Sequence, residues 1–100
     1  MKVVFTYRAE RDLEAIGDWI AHDNPVRAKS FVLELRDACM HLADSPRAFP
    51  LLRRYEVHAI RRKPYRSYLI LYRIIGETIE VWHVMHGARD YEAILSQDFE

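Results

Sequence analysis

Metal-free cleavage of RNA needs a base for the 2′-hydroxyl, an acid for the leaving oxygen and cations to hold the phosphate. The C-terminal half of the sequence contains residues of each kind: Arg61, Lys63, Arg66, Arg73, His83, His86, Arg89 and Tyr91. Any basic sheet with a few histidines offers the same set without doing chemistry, so both readings stand at this point. A metal site is not expected. His22, His41 and His58 are isolated, and the separation of three between His83 and His86 puts them on opposite faces of a strand unless a bulge intervenes. The ordinary alternative for that strand is a packed sheet, with His83 or His86 satisfied by a backbone carbonyl. There is no Ser/His/Asp spacing, no glycine-rich phosphate loop and no nucleotide fingerprint, with glycines only at 17, 76 and 87, so no cofactor is expected.

The formal net charge of zero conceals a segregation. Residues 47–73 carry eight basic side chains (Arg47, Arg53, Arg54, Arg61, Arg62, Lys63, Arg66, Arg73) against Glu56, whereas the segments on either side are acidic on balance. Such a segment either is a solvated face or meets an anionic partner: RNA, DNA, an acidic peptide or acidic parts of the same fold. Tyr65, Tyr68, Tyr72, Trp82 and Tyr91 offer rings for base stacking, although a core role is the commoner use of Tyr72 and Trp82 in a sheet covered by helices. No run of 18 apolar residues occurs and the apolar run Val3–Phe5 is too short for a signal peptide, so a cytoplasmic protein with no membrane partner is expected. The lone Cys39 agrees with a reducing compartment and reads as core filler.

The elements that would position these residues follow from periodicity. Residues 3–7 read as a short strand, with Thr6 available to cap a helix. Ala9, Leu13, Ile16, Trp19 and Ile20 then form one apolar stripe of an amphipathic helix. His22-Asp23-Asn24-Pro25 breaks that helix and starts a second, whose stripe is Ala28, Phe31, Val32, Leu35, Ala38, Cys39 and Leu42, ending before Asp44-Ser45-Pro46. The short connection makes the pair an antiparallel hairpin. Residues 47–56 read as a loop and Val57–Lys63 as a strand that Pro64 interrupts. Tyr68–Ile75 has the all-apolar character of a central strand, and Gly76-Glu77 turns it into Thr78–His86. The tail from Arg89 to Leu95 reads as a short cap. The expectation is one α+β domain over residues 1–100: an N-terminal strand and two-helix hairpin packed on a mainly antiparallel sheet of about four strands, with a short C-terminal helix.

Several of these residues, taken in order, carry a resemblance. They are Ala9 with Asp12-Leu13 and Ile16, Asn24-Pro25 with Ala28 and Phe31-Val32, Leu42-Ala43 with Ser45-Pro46, Tyr68 with Tyr72-Arg73, and the run His83-Val84-Met85-His86-Gly87-Ala88-Arg89-Asp90. Their order and spacing, over nearly the whole chain, resemble the ParE branch of the RelE/ParE toxin superfamily. The mRNA-cleaving branch has an arginine after the tyrosine of the central strand, in a Tyr-Arg-x-x-Tyr pattern, where this chain reads Tyr68-Leu69-Ile70-Leu71-Tyr72. That branch also carries a catalytic tyrosine or histidine in the tail, where this chain has Tyr91 too early and Leu95 instead. Arg89 matches an arginine of both branches and does not discriminate.

The resemblance implies a toxin that inhibits DNA gyrase by binding, without enzymatic activity. It also implies a ParD-like antitoxin that forms a hetero-oligomer with the toxin through a flexible, partly acidic C-terminal segment. Such a segment brings apolar anchors as well as charge, so exposed apolar residues on the helical hairpin are expected too. Arg61, Arg62, Lys63, Arg66, Arg73 and Arg89 are then the residues expected to hold the antitoxin or the target, and direct nucleic-acid binding is not expected. The alternative is a ribosome-dependent mRNA interferase using Arg61, Lys63, Arg66, His83, His86 and Arg89, and a third reading is a non-toxic relative that only binds its antitoxin.

Overall fold

Val3, Val4 and Phe5 are β-branched or aromatic and form an edge strand, β1 (Lys2–Phe5). In the computed structural model, which describes residues 1–87 together with Ala93 and Leu95, Thr6 ends this strand and caps the first helix, α1 (Tyr7–Ala21). The Thr6 Oγ1 accepts the Ala9 backbone N–H at 3.0 Å and donates to the Trp82 carbonyl at 2.8 Å, so one side chain fixes the helix to the sheet. α1 buries Ala9, Leu13 and Ile16. Trp19, expected on the same stripe, is exposed instead. Ile20 keeps to the line set by Leu13 and Ile16, and its neighbour, turned by about 100°, falls on the flank of the helix.

Asn24 caps the second helix, α2 (Pro25–Met40), by accepting the Arg27 backbone N–H at 3.0 Å, with Pro25 in the first turn where it has no N–H to lose. α2 buries Ala28, Phe31, Leu35, Ala38 and Cys39. Leu42 continues the apolar line from a 3-10 turn, His41–Asp44, just beyond the helix. Burial pushes the Cys39 thiol up to about 12, so it stays protonated and fills space as the sequence suggested.

Three further strands complete one sheet: β2 (Arg61–Tyr65), β3 (Tyr68–Ile75) and β4 (Thr78–His86), in the spatial order β1-β4-β3-β2. β1 runs parallel to β4 and the other pairs are antiparallel. The expected strand over Val57–Lys63 is corrected: Glu56–His58 form a 3-10 turn, and β2 runs through Pro64, which pairs with Leu69. β2 is an edge strand, where a proline without an N–H is tolerated.

Between β3 and β4 the register slips: Leu71 faces His83 but Tyr72 faces Val81, so Trp82 is an extra residue, a β-bulge. Because of it, Val81 and Val84, three apart, both join the core beneath the helices. That core also contains Leu13, Phe31, Leu35, Ile70 and Tyr72. A second apolar cluster covers the other face of the sheet with Leu52, Ile60, Leu69, Leu71, Met85 and Leu95, and Tyr55 and Trp82 pack against it. The expected C-terminal helix lies outside the described residues except for Ala93 and Leu95, which are helical. No helix among the described residues is long and apolar enough to cross a membrane.

Candidate functional site

The six cations singled out from the sequence have different environments. Along β2 alternate side chains face opposite sides, and Arg61 and Lys63 turn toward the helical layer. The Arg61 guanidinium donates to the Phe49 carbonyl at 2.7 Å and to the Arg47 carbonyl at 3.4 Å, tying the 47–49 loop to the sheet. Lys63 Nζ lies over the Phe49 ring and donates to the Ala38 carbonyl at 3.1 Å, near the C-terminal end of α2, where the helix dipole favours a cation. Arg73 Nε donates to Glu80 at 2.9 Å across the β3–β4 pair. Arg62 is exposed on the other face, and Arg66 is exposed in the two-residue β2–β3 turn with a left-handed φ of 52° and its guanidinium 5.9 Å from the Tyr65 ring. Arg89 and Tyr91 lie outside the described residues. Replacing Lys63 with methionine keeps the stem over Phe49 and removes the cap, so a loss of about 1 kcal/mol in urea unfolding is expected; an unchanged midpoint would count against the capping role.

The histidines are also separated by the fold. β1 ends at Phe5, so from Trp82 onward β4 has no neighbouring strand on that side. Thr6 and Asp12 take the place of one. The Thr6 N–H donates to the Val81 carbonyl at 3.0 Å, its hydroxyl to the Trp82 carbonyl, and Asp12 Oδ2 accepts the Val84 N–H at 2.8 Å. The same carboxylate oxygen contacts His83 Nδ1, and His83 is only 5% exposed. Its partner is thus a carboxylate and not the backbone carbonyl expected from the strand pattern. The signal for this contact was present: Asp12 stands on the buried line of α1, three after Ala9 and four before Ile16.

His86 is in a different environment from the buried His83. It is exposed and lies across from Tyr68, the two rings 5.3 Å apart. The Gly87 N–H donates to the Ser67 carbonyl at 2.7 Å, which holds His86 beside the Arg66-Ser67 turn. A cleft of about 540 Å³ opens here between α1 and the ends of β3 and β4, lined in part by Asp12, Ala15, Trp19, Tyr68 and His86. The bulge at Trp82 precedes His83, and the register from His83 opposite Leu71 to His86 opposite Tyr68 is regular, so the two histidines stand on opposite faces of β4 as their spacing led one to expect. No group of three or more metal-ligating side chains occurs among the described residues. Leu69, one residue into β3, is 7% exposed in the second apolar cluster.

The profile of the ParE toxin of the type II toxin-antitoxin system, parDE, matches residues 3–91. The chain belongs to this toxin family. Among curated proteins the ParE-family chain is similar to Toxin RelE2 of Caulobacter vibrioides, 31% identical over 88 residues that cover 88% of this chain and 97% of that protein. Among solved structures it is similar to the toxin-antitoxin complex RelBE2 from Mycobacterium tuberculosis, with 29% identity, a TM-score of 0.60, and coverage of 85% of this chain and 95% of that one. The chromosomal ParDE system from P. aeruginosa gives a TM-score of 0.74 at 21% identity over 86% and 95% of the two chains, and the isolated E. coli RelE toxin 0.62 at 17% over 99% and 98%. These two establish the fold alone: two helices on a four-stranded mixed sheet, as the sequence led one to expect. The protein is a toxin of the type II toxin-antitoxin class.

Proposed function

We propose that this toxin acts by binding a protein target, DNA gyrase, and that a ParD-like antitoxin neutralises it. The observation that carries the reading is the engagement of the groups an RNA-cleaving site would use. Arg61 and Lys63 donate to main-chain carbonyls, Arg73 is paired with Glu80, and His83 is buried against Asp12. A general base must be free to reach the proton it takes, and phosphate-binding cations must be free to meet the phosphate. A leucine at position 69, in place of the interferase arginine, supports the same reading. Gyrase as the target rests on the ParE resemblance. The antitoxin partner is supported by the likeness to RelBE2, a toxin-antitoxin complex. Exposed Arg62 and Arg66 suit the acidic part of such a partner.

A second reading has one observation in its favour. Exposed His86 stands beside Tyr68 and the Arg66-Ser67 turn, a histidine, a phenol and an arginine at one end of the sheet. These are residue types an mRNA interferase would use, although Arg61 and Lys63 would have to leave their carbonyl partners to join them.

Purified toxin incubated with gyrase, ATP and supercoiled DNA, and in parallel with ribosomes and mRNA, separates the two. Gyrase-dependent DNA breaks or loss of supercoiling with intact mRNA is the expected result. Codon-positioned cleavage that His86→Ala abolishes would replace the binding reading with the nuclease one. Unimpaired growth on expression without the antitoxin would leave a non-toxic antitoxin binder.

A further inference from the structure

α2 presents a face that no described residue covers. Val26, Leu33 and Met40 recur every seven residues along it and are 83%, 58% and 48% exposed. They lie opposite the buried line of Ala28, Phe31, Leu35 and Ala38. Scattered apolar side chains are ordinary on a protein surface, but three aligned on one helix over about 21 Å form a seam of the spacing used between packed helices.

The charges along this face are arranged with it. Most charged groups of α2 are paired within the chain: Arg27 with Glu34, and Arg36 with Glu10 of α1 at 2.8 Å. Asp37 has beside its carboxylate the exposed His41 ring, 3.4 Å away, and Lys29 has no partner among the described residues. Lys29 stands four residues before Leu33 and Asp37 four after it, as Val26 stands seven before and Met40 seven after. The pattern is its own inverse about Leu33. An unrelated partner would not require that property, whereas a second copy related by a two-fold axis does.

We infer that a second copy of the chain packs on this face, the two α2 helices running antiparallel about a two-fold axis at Leu33. In that arrangement Leu33 meets Leu33 of the second copy, Val26 meets its Met40, and Lys29 comes within side-chain reach of its Asp37, twice by symmetry. One helix face from each copy buries less than a standard interface of about 1,600 Å², so the dimer is expected to be weak and in concentration-dependent exchange with the monomer. The inference does not depend on which target the toxin attacks.

Sedimentation velocity of the full-length free chain, over a dilution series from low micromolar to submillimolar, tests it. A concentration-dependent monomer–dimer equilibrium is expected. Leu33→Asp places two carboxylates at the axis and should weaken dimerisation at least about tenfold; because Leu33 is exposed, an unchanged thermal midpoint of the monomer shows that the fold is retained. Lys29→Glu and Asp37→Lys should each weaken the dimer by setting like charges together, and the double swap should restore it. A chain that is monomeric throughout, a dimer that Leu33→Asp leaves intact, or a double swap no better than either single change would overturn the proposal. So would a monomer whose antitoxin binding Leu33→Asp abolishes, which would assign the face to the antitoxin.

Discussion

Replacing Asp12 with alanine is expected to destabilise the fold by roughly 3–4 kcal/mol, a large share of the total stability of a domain this size. Two buried or half-buried donors lose their acceptor at once: the Val84 N–H, bound at 2.8 Å, and the His83 ring nitrogen. Water cannot readily replace the carboxylate, because His83 is 5% exposed and sits between α1 and the end of β4. Asp12→Asn keeps an oxygen for the Val84 N–H while removing the charge that faces His83, so an intermediate loss is expected. Urea unfolding followed by far-UV circular dichroism measures both. A loss under about 1 kcal/mol for the alanine variant would show that the β4 edge needs no surrogate strand. Because α1 and the end of β4 are walls of the 540 Å³ cleft, the same variant should disturb the placement of His86 and Trp19.

The Asp12 contact shows what a sequence can and cannot reveal. An acid on the buried line of an amphipathic helix was visible, and so was a histidine on an apolar strand, but 71 residues separate them and only the tertiary fold joins them. Local signals were read more directly. Thr6 and Asn24-Pro25 placed the starts of both helices, and Gly76, with a φ of 60°, marked the β3–β4 turn. The misplaced second strand had a local cause that propensity does not register: Arg54 and Ala59 adopt left-handed conformations, with φ of 73° and 57°, in the turns leading to fully buried Ile60. The basic segment was legible as composition but not as a surface. Arg61 and Lys63 look like Arg62 and Arg66 in a charge count, yet their partners, the carbonyls of Phe49 and Ala38, lie 12 and 25 residues away. Arg62 differs from its neighbours through strand alternation, which faces it away from the helical layer.

An arginine in place of Leu69 tests the second apolar cluster and the binding mechanism together. The substitution recreates the Tyr-Arg-x-x-Tyr pattern of the RNA-cleaving branch on β3. In this fold, however, position 69 packs with Leu52, Ile60, Leu71, Met85 and Leu95, and is 7% exposed. Losing the buried leucine costs about 2 kcal/mol of apolar transfer, and enclosing a guanidinium there adds a desolvation penalty, for a total of roughly 3–5 kcal/mol. The expected result is a Tm lowered by about 15 °C or more, with no mRNA cleavage gained in the presence of ribosomes. A long side chain can carry its charge to the surface, which would soften the loss without creating a phosphate site. The binding mechanism fails if the variant keeps its Tm and cleaves mRNA, because the second face of the sheet would then be a substrate groove closed by a single leucine. If stability falls while gyrase inhibition persists in the folded fraction, the surface that poisons the target lies away from this cluster.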